Sequence, residues 1–168
     1  MNPHNDLISF LAVAQYYDID FVSVTWEKGR GQMGLGATSK IWQSSLSRRV
    51  DFAFKRTKLA ERSLVDSEDE EKAFNALVSE TSVLRHPSIQ HHQNIVNLEG
   101  ICWEIPPQSE RVWPVLILEK SQLGDLESFM FSEEGRATTM HQRLGLCSDV
   151  ANALIALHSN GMHPLVDE

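Results

Sequence analysis

Apolar positions recur along the chain at spacings that change from segment to segment, and the spacing predicts the elements. Residues 7–17 (LISFLAVAQYY) are a short apolar segment, expected as a helix packed on the edge of the domain. Asp18 to Trp26 alternates, with Phe21, Val22, Val24 and Trp26 apolar, and predicts a strand. A glycine cluster follows at 29–39 (GRGQMGLGATS). Lys40-Ile41-Trp42 predicts a second strand, Ser44 to Arg49 a polar turn, and 50–55 (VDFAFK) an aromatic-rich third strand.

Helical spacing takes over at 67–85, where Phe74, Leu77, Val78, Thr81 and Leu84 share one face. Ser67-x-x-Glu70 fits a capping box, and the acidic run Glu68 to Glu71 lies at the positive end of the helix dipole. Pro87 ends the helix. After the polar loop Ser88–Gln93, Ile95–Cys102 predicts a strand; Pro106-Pro107 marks a turn, and Val112–Glu119 is the most apolar strand, with an irregular start at Pro114. Gly124-Asp125-Leu126 opens a short helix. Thr139-x-x-Gln142 caps a longer one with Leu146, Cys147, Val150, Ala153, Leu154 and Leu157 on its apolar face, ended by Asn160-Gly161. The order strand, strand, strand, helix, strand, strand, helices predicts an α+β fold: a five-stranded antiparallel sheet with one long helix packed on it.

Composition narrows the function classes. Apolar residues at 42% and charged residues at 23% are ordinary for a globular domain of 168 residues. The net charge of −8 argues against nucleic acid or an anionic membrane surface as partner, since both require a basic footprint. The basic stretches Arg48-Arg49 and Lys55-Arg56-Thr57-Lys58 are short, and read as solvated residues around a strand. Cys102 and Cys147 form no C-x-x-C pattern and fit buried thiols of a reduced compartment. No segment reaches the ~20 apolar residues of a membrane span, and the start lacks the basic region of a signal peptide, so a cytoplasmic protein is expected. His86, His91 and His92 lack accompanying ligands at zinc spacing, so no metal site is expected.

The chemistry begins at the glycines, in two registers. Gly29-x-Gly31-x-x-Gly34, with Asp51 downstream, matches a dinucleotide fingerprint and would make the chain an oxidoreductase. That fingerprint needs a helix after the last glycine, whereas Ser39 to Trp42 suits a strand better. The phosphate P-loop fails, because Gly31-x4-Gly36 is followed by Ala37 rather than lysine. In the second register Gly34-Leu35-Gly36-Ala37-Thr38-Ser39 joins two strands, Phe52-Ala53-Phe54-Lys55 ends a strand in lysine, and Glu80 sits on the long helix. Taken alone, Lys55 could equally be a surface lysine and Glu80 a solvated helix residue.

Together these segments resemble the protein kinase family: a glycine-rich loop, a V-A-I-K lysine and a helix glutamate. Four later segments add to the resemblance. They are Leu84-Arg85-His86-Pro87 with Asn94-Ile95-Val96-Asn97-Leu98-Glu99-Gly100, Val115 to Glu119 entering a hinge, Gly124-Asp125-Leu126, and Leu157-His158-Ser159-Asn160-Gly161. The resemblance covers about residues 20–161; it departs at the third loop glycine, which is Ser39, and at the following valine, which is Ile41. It implies a kinase-like N-lobe over 20–120, a hinge and two helices of an incomplete C-lobe over 121–161, an N-terminal helical extension over 1–19, and a divergent tail over 162–168. It also implies roles. Gly34, Gly36 and Ser39 would cover the phosphates of ATP, and Ile41 and Ala53 would close over adenine. Lys55 would hold the α- and β-phosphates with Glu80 orienting it, and Leu118 would back the pocket. Glu119 and Ser121 would offer backbone hydrogen bonds to the base.

After Gly161 the pattern breaks. The family has two apolar residues and then H-R-D or H-G-D, whose aspartate accepts the substrate proton; here Met162-His163-Pro164-Leu165-Val166-Asp167-Glu168 follows. Neither that aspartate nor a D-F-G magnesium ligand is present in this sequence, and each such group is asked to supply several kcal/mol. The expectation is therefore a lobe that binds ATP with little or no transfer to Ser, Thr or Tyr. The alternative is a non-catalytic pseudokinase-type module whose partner covers the apolar face of the helix at 139–160.

Overall fold

The computed structural model describes residues 5–25, 32–35, 39–47, 50–62, 65–106 and 111–162, with side chains outside 24–51. The chain opens with helix α1 (Leu7–Tyr16) and strand β1 (Phe21–Thr25), followed by β2 (Gln32–Leu35), β3 (Ser39–Ser47) and β4 (Val50–Thr57). A 3₁₀ turn (Lys58–Glu61) leads to the long helix α2 (Ser67–Leu84), then β5 (Leu98–Glu104) and β6 (Trp113–Glu119). Three helices complete it: α3 (Leu126–Phe131), α4 (Glu133–Arg136) and α5 (Met140–Ser159).

One six-stranded sheet carries the order β1-β5-β6-β4-β3-β2. The five strands β2 to β6 pair antiparallel; the five antiparallel strands expected from the sequence counted the Phe21 segment in place of Gln32–Leu35. The sixth, β1, is added at the far edge, parallel to β5. This corrects the strand order read from the sequence. The alternating segment at Phe21 does not precede the glycine turn as its hairpin partner; that place belongs to Gln32–Leu35, inside the glycine cluster. The second strand also runs on to Ser47, through residues expected as a turn.

The sheet core is β6, whose first six residues are all buried. On one side Ala53, Ile101, Leu116 and Leu118 join Ala73, Phe74, Leu77 and Leu84 of α2 and Phe10 and Ala14 of α1 in one apolar cluster. Trp113 stacks on Phe74 with ring centroids 5.5 Å apart. Burial of an aromatic side chain such as Phe74, 3% exposed, stabilises by roughly 2–3 kcal/mol. On the other side Phe54, Cys102, Val115 and Ile117 form a second cluster. Val78 is only partly buried, at the margin of the first.

Caps fix the helix ends. The N-cap of α2 is Asp66, one residue before the expected Ser67, because its carboxylate accepts from the Asp69 N–H at 2.7 Å. Asp6 and Asp125 cap α1 and α3 in the same way, and the N–H and hydroxyl of Ser9 and Ser128 hold the two carboxyls below the usual carboxylate range. The Thr139–Gln142 capping box starts α5. Its end is a Schellman turn: Gly161, at φ +72°, donates to the His158 carbonyl, and Met162 donates to that of Leu157. No residue of α5 is buried: Leu144, Val150, Leu154 and Ile155 are 61%, 52%, 42% and 63% exposed. Cys147, expected among the buried thiols, is exposed on the same helix, because nothing among the described residues packs over it. No helix of the described residues is long and apolar enough to cross a membrane.

Candidate nucleotide site

The strand lysine and the helix glutamate meet. Lys55 Nζ lies 2.7 Å from Glu80 Oε1, with the two side chains 26% and 28% exposed. Alternation along β4 directs Ala53 and Lys55 toward the α2 side, while Phe54 and Arg56 point the other way. Glu80 stands one turn from Leu77 and Leu84 on α2, so burial of those leucines aims it at β4. Such a partly exposed pair contributes at most about 1 kcal/mol to stability, so its interest is positional.

Strand register places the other candidates. Ala53 pairs with Leu118 and Lys55 with Leu116 across β4 and β6, and Ala53 and Leu118 are 7% and 5% exposed. Ile41 pairs with Lys55, and Gly34 with Ile41, which brings the end of the glycine hairpin alongside the lysine. Ser39 begins β3. Gly36 lies outside the described residues. A strand, β3, follows the glycines where a dinucleotide fingerprint requires a helix.

The Glu119 N–H donates to the Asn97 carbonyl at 3.0 Å, and its carboxylate accepts from Asn97 Nδ2 at 3.2 Å. Ser121 is exposed just beyond. These two line an open cavity of about 520 Å³ together with Ile95, Val96, Leu146 and Val150; none of Ala53, Lys55 and Leu118 lines it. The histidines serve turns: His86 Nδ1 accepts from Ser88 N–H and His92 Nδ1 from Asn94 N–H. Among the described residues no group of three or more His, Cys, Asp or Glu side chains converges as metal ligands would.

One charged network has no counterpart in the sequence reading. Arg56, read there as part of a solvated basic stretch, is 4% exposed. It reaches across β6 to grip Glu104 of β5 through Nε and Nη2, and donates to Glu61 at 3.0 Å. Its only sequence signal is the β4 alternation, which puts Arg56 on the face of Phe52 and Phe54. Burial, reinforced by Glu104, pushes the nearby Cys102 thiol up to about 12.

Comparison with known proteins matches this arrangement. The model of the protein tyrosine and serine/threonine kinase family matches residues 28–163. Among curated relatives from Arabidopsis thaliana, the chain is 28% identical over 129 residues to a putative L-type lectin-domain containing receptor kinase I.11. It is 27% identical over 125 residues to receptor like protein kinase S.3, and 29% identical over 134 residues to calcium/calmodulin-regulated receptor-like kinase 1. These matches take in 77%, 74% and 80% of this chain but only 16%, 32% and 26% of the relatives' own lengths. Among solved structures, an apo pseudokinase superposes with a TM-score of 0.55 at 20% identity, covering 76% of this chain and 42% of the other. The pseudokinase drought responsive inactive kinase 1, bound to ENMD-2076, gives 0.53 at 21% identity, covering 76% and 44%. With a glycine hairpin, a strand lysine paired to a helix glutamate, and a family match across most of its length, the chain belongs to the protein tyrosine and serine/threonine kinase family.

Proposed function

We propose that this kinase-like lobe binds ATP, with Lys55 meeting the α- and β-phosphates, and that the chain carries little or no phosphoryl transfer of its own. The observation that supports binding is the 2.7 Å Lys55–Glu80 pair. An ammonium held in place by a carboxylate loses less entropy on meeting a phosphate than a free lysine side chain would. The surroundings fit the ligand. Ala53 is small enough to admit a flat base beside Leu118, and the backbone at Gly34 and Ser39 lies where β2 ends and β3 begins, at the turn end of the β2–β3 hairpin. The Glu119 N–H is used within the fold, so Glu119 would meet a base through its carbonyl oxygen and Ser121 through its backbone. Absence of transfer is favoured by Met162-His163-Pro164-Leu165, which stands where the family pattern places the proton-accepting aspartate.

A second reading is favoured by a separate observation. The exposed Leu144, Val150, Leu154 and Ile155 on α5 would suit a partner protein, making the lobe a binding module rather than a nucleotide site. One titration distinguishes the two. ATP is added to the purified chain, with and without magnesium, beside a Lys55→Met variant. Saturable binding that weakens at least tenfold in the variant is the expected result. A cooperatively folded chain that binds no ATP would exclude the nucleotide site and leave the partner-binding module.

A further inference from the structure

We infer that segment 5–25 is a clamp on α2, holding the helix where Glu80 meets Lys55, so that displacing α1 uncouples the ion pair. The clamp attaches at four places. Midway along α2, Asn5 Nδ2 donates to Asn75 Oδ1 at 2.7 Å. Along the helix, Phe10 and Ala14, both fully buried, enter the same core as Phe74, Leu77 and Leu84. At the helix C-cap, Arg85 Nη2 reaches the carbonyls of Tyr17 and Asp18 at 3.3 and 3.4 Å. Beyond the turn at Asp18, whose φ is +49°, the Asp20 carbonyl accepts from the Ile101 N–H at 2.9 Å, and β1 joins the sheet beside β5.

Helix geometry gives these attachments their direction. At 100° per residue, Asn75, Val78 and Arg85 lie on one flank of the buried face of α2, and Glu80 lies on the other. Segment 5–25 therefore grips the flank away from Lys55 and opposes rotation of α2 about its own axis. A roll of about 30° moves a side-chain tip at ~5 Å radius by roughly 3 Å, which is enough to part a 2.7 Å ion pair. The Arg85 contacts are long and its buried Nε has no hydrogen-bond partner among the described residues, so the C-terminal end of α2 is the looser end of the grip.

The coupling stands on packing alone; only its consequence for ATP rests on the proposed nucleotide site. The test uses the full chain and two readouts that need no nucleotide: amide hydrogen exchange by peptide, and acylation of Lys55 by a neutral amine reagent followed by mass spectrometry. Phe10→Ala should raise exchange in residues 76–84 about tenfold and Lys55 acylation severalfold, with β6 unchanged. Unchanged α2 exchange and unchanged Lys55 acylation, with any loosening confined to residues 5–17, would overturn the clamp. If Phe10→Ala loosens β6 as well, Arg85→Gln decides, since it leaves the core filled. A smaller rise confined to α2 and Lys55 supports the coupling, and no change in either overturns it. ATP titration of the same samples separates the two ideas: a wild-type chain that ignores ATP removes the nucleotide site, while exchange and acylation still judge the clamp.

Discussion

Lys55 and Arg56 are neighbours on β4 with opposite surroundings. Alternation sends Lys55 toward α2, where Glu80 holds it at 2.7 Å with a quarter of its surface open. It sends Arg56 to the other face, where two carboxylates, the nearby Glu61 and Glu104 of β5, make its burial tolerable. The first pairing was legible in the sequence because a glycine loop, a strand lysine and a helix glutamate recur as a pattern. The second was not. Whether an arginine in Lys-Arg-Thr-Lys is solvated or buried depends on which residue the sheet brings opposite it, and Glu104 is far along the chain. The cysteines show the same limit. Burial keeps Cys102 protonated well above its ordinary 9.0, up to about 12, whereas Cys147 is exposed on α5. A thiol reagent at pH 8 should modify Cys147 alone in the native chain and both cysteines in denaturant; rapid native modification of Cys102 would contradict the buried cluster. Because its folded pKa is raised, the contribution of Cys102 to stability is complete below pH 9 and is lost as pH rises toward about 12.

At the scale of elements, α2, β4, β5, β6 and α5 could be located from periodicity and caps, because each buries one continuous face or carries a strong end signal. The opening strands could not be assigned correctly. Phe21 to Thr25 has the alternation of a strand, but alternation does not name the partner, and here the partner is β5 at the far edge of the sheet. Gln32 to Leu35 contains Gly34 and has weak strand propensity, yet it forms the hairpin strand because β3 lies opposite it in register. Gly100 makes the edge assignment testable. A Cβ there would meet the Asp20 carbonyl oxygen and Val22 Cγ2, each at 3.0 Å. Gly100→Ala should therefore push β1 off β5 and cost about 1–3 kcal/mol, read as a lowered urea midpoint with faster amide exchange at Phe21–Thr25. An unchanged midpoint and unchanged exchange would mean that β1 does not pack where the structure has it.

The whole molecule is a sheet whose α2 side is covered by α1 and α2, followed by helices that remain open. The apolar stripe of α5 was legible as a helix face, but periodicity cannot say what covers it. Among the described residues that face is largely bare, and the chain spans 16–32% of the three curated relatives compared above. The lobe-level assembly, in contrast, places Ala53, Lys55, Glu80 and Leu118 on one side of the sheet beside the glycine hairpin. The most direct test of that placement is labelling with an acyl-phosphate derivative of ATP, which acylates whichever lysine lies against the bound phosphates. The expected result is modification of Lys55 that excess ATP suppresses and that falls sharply in Glu80→Gln. Modification of other lysines only, or modification of Lys55 that ATP does not compete, would contradict a nucleotide site at this lysine.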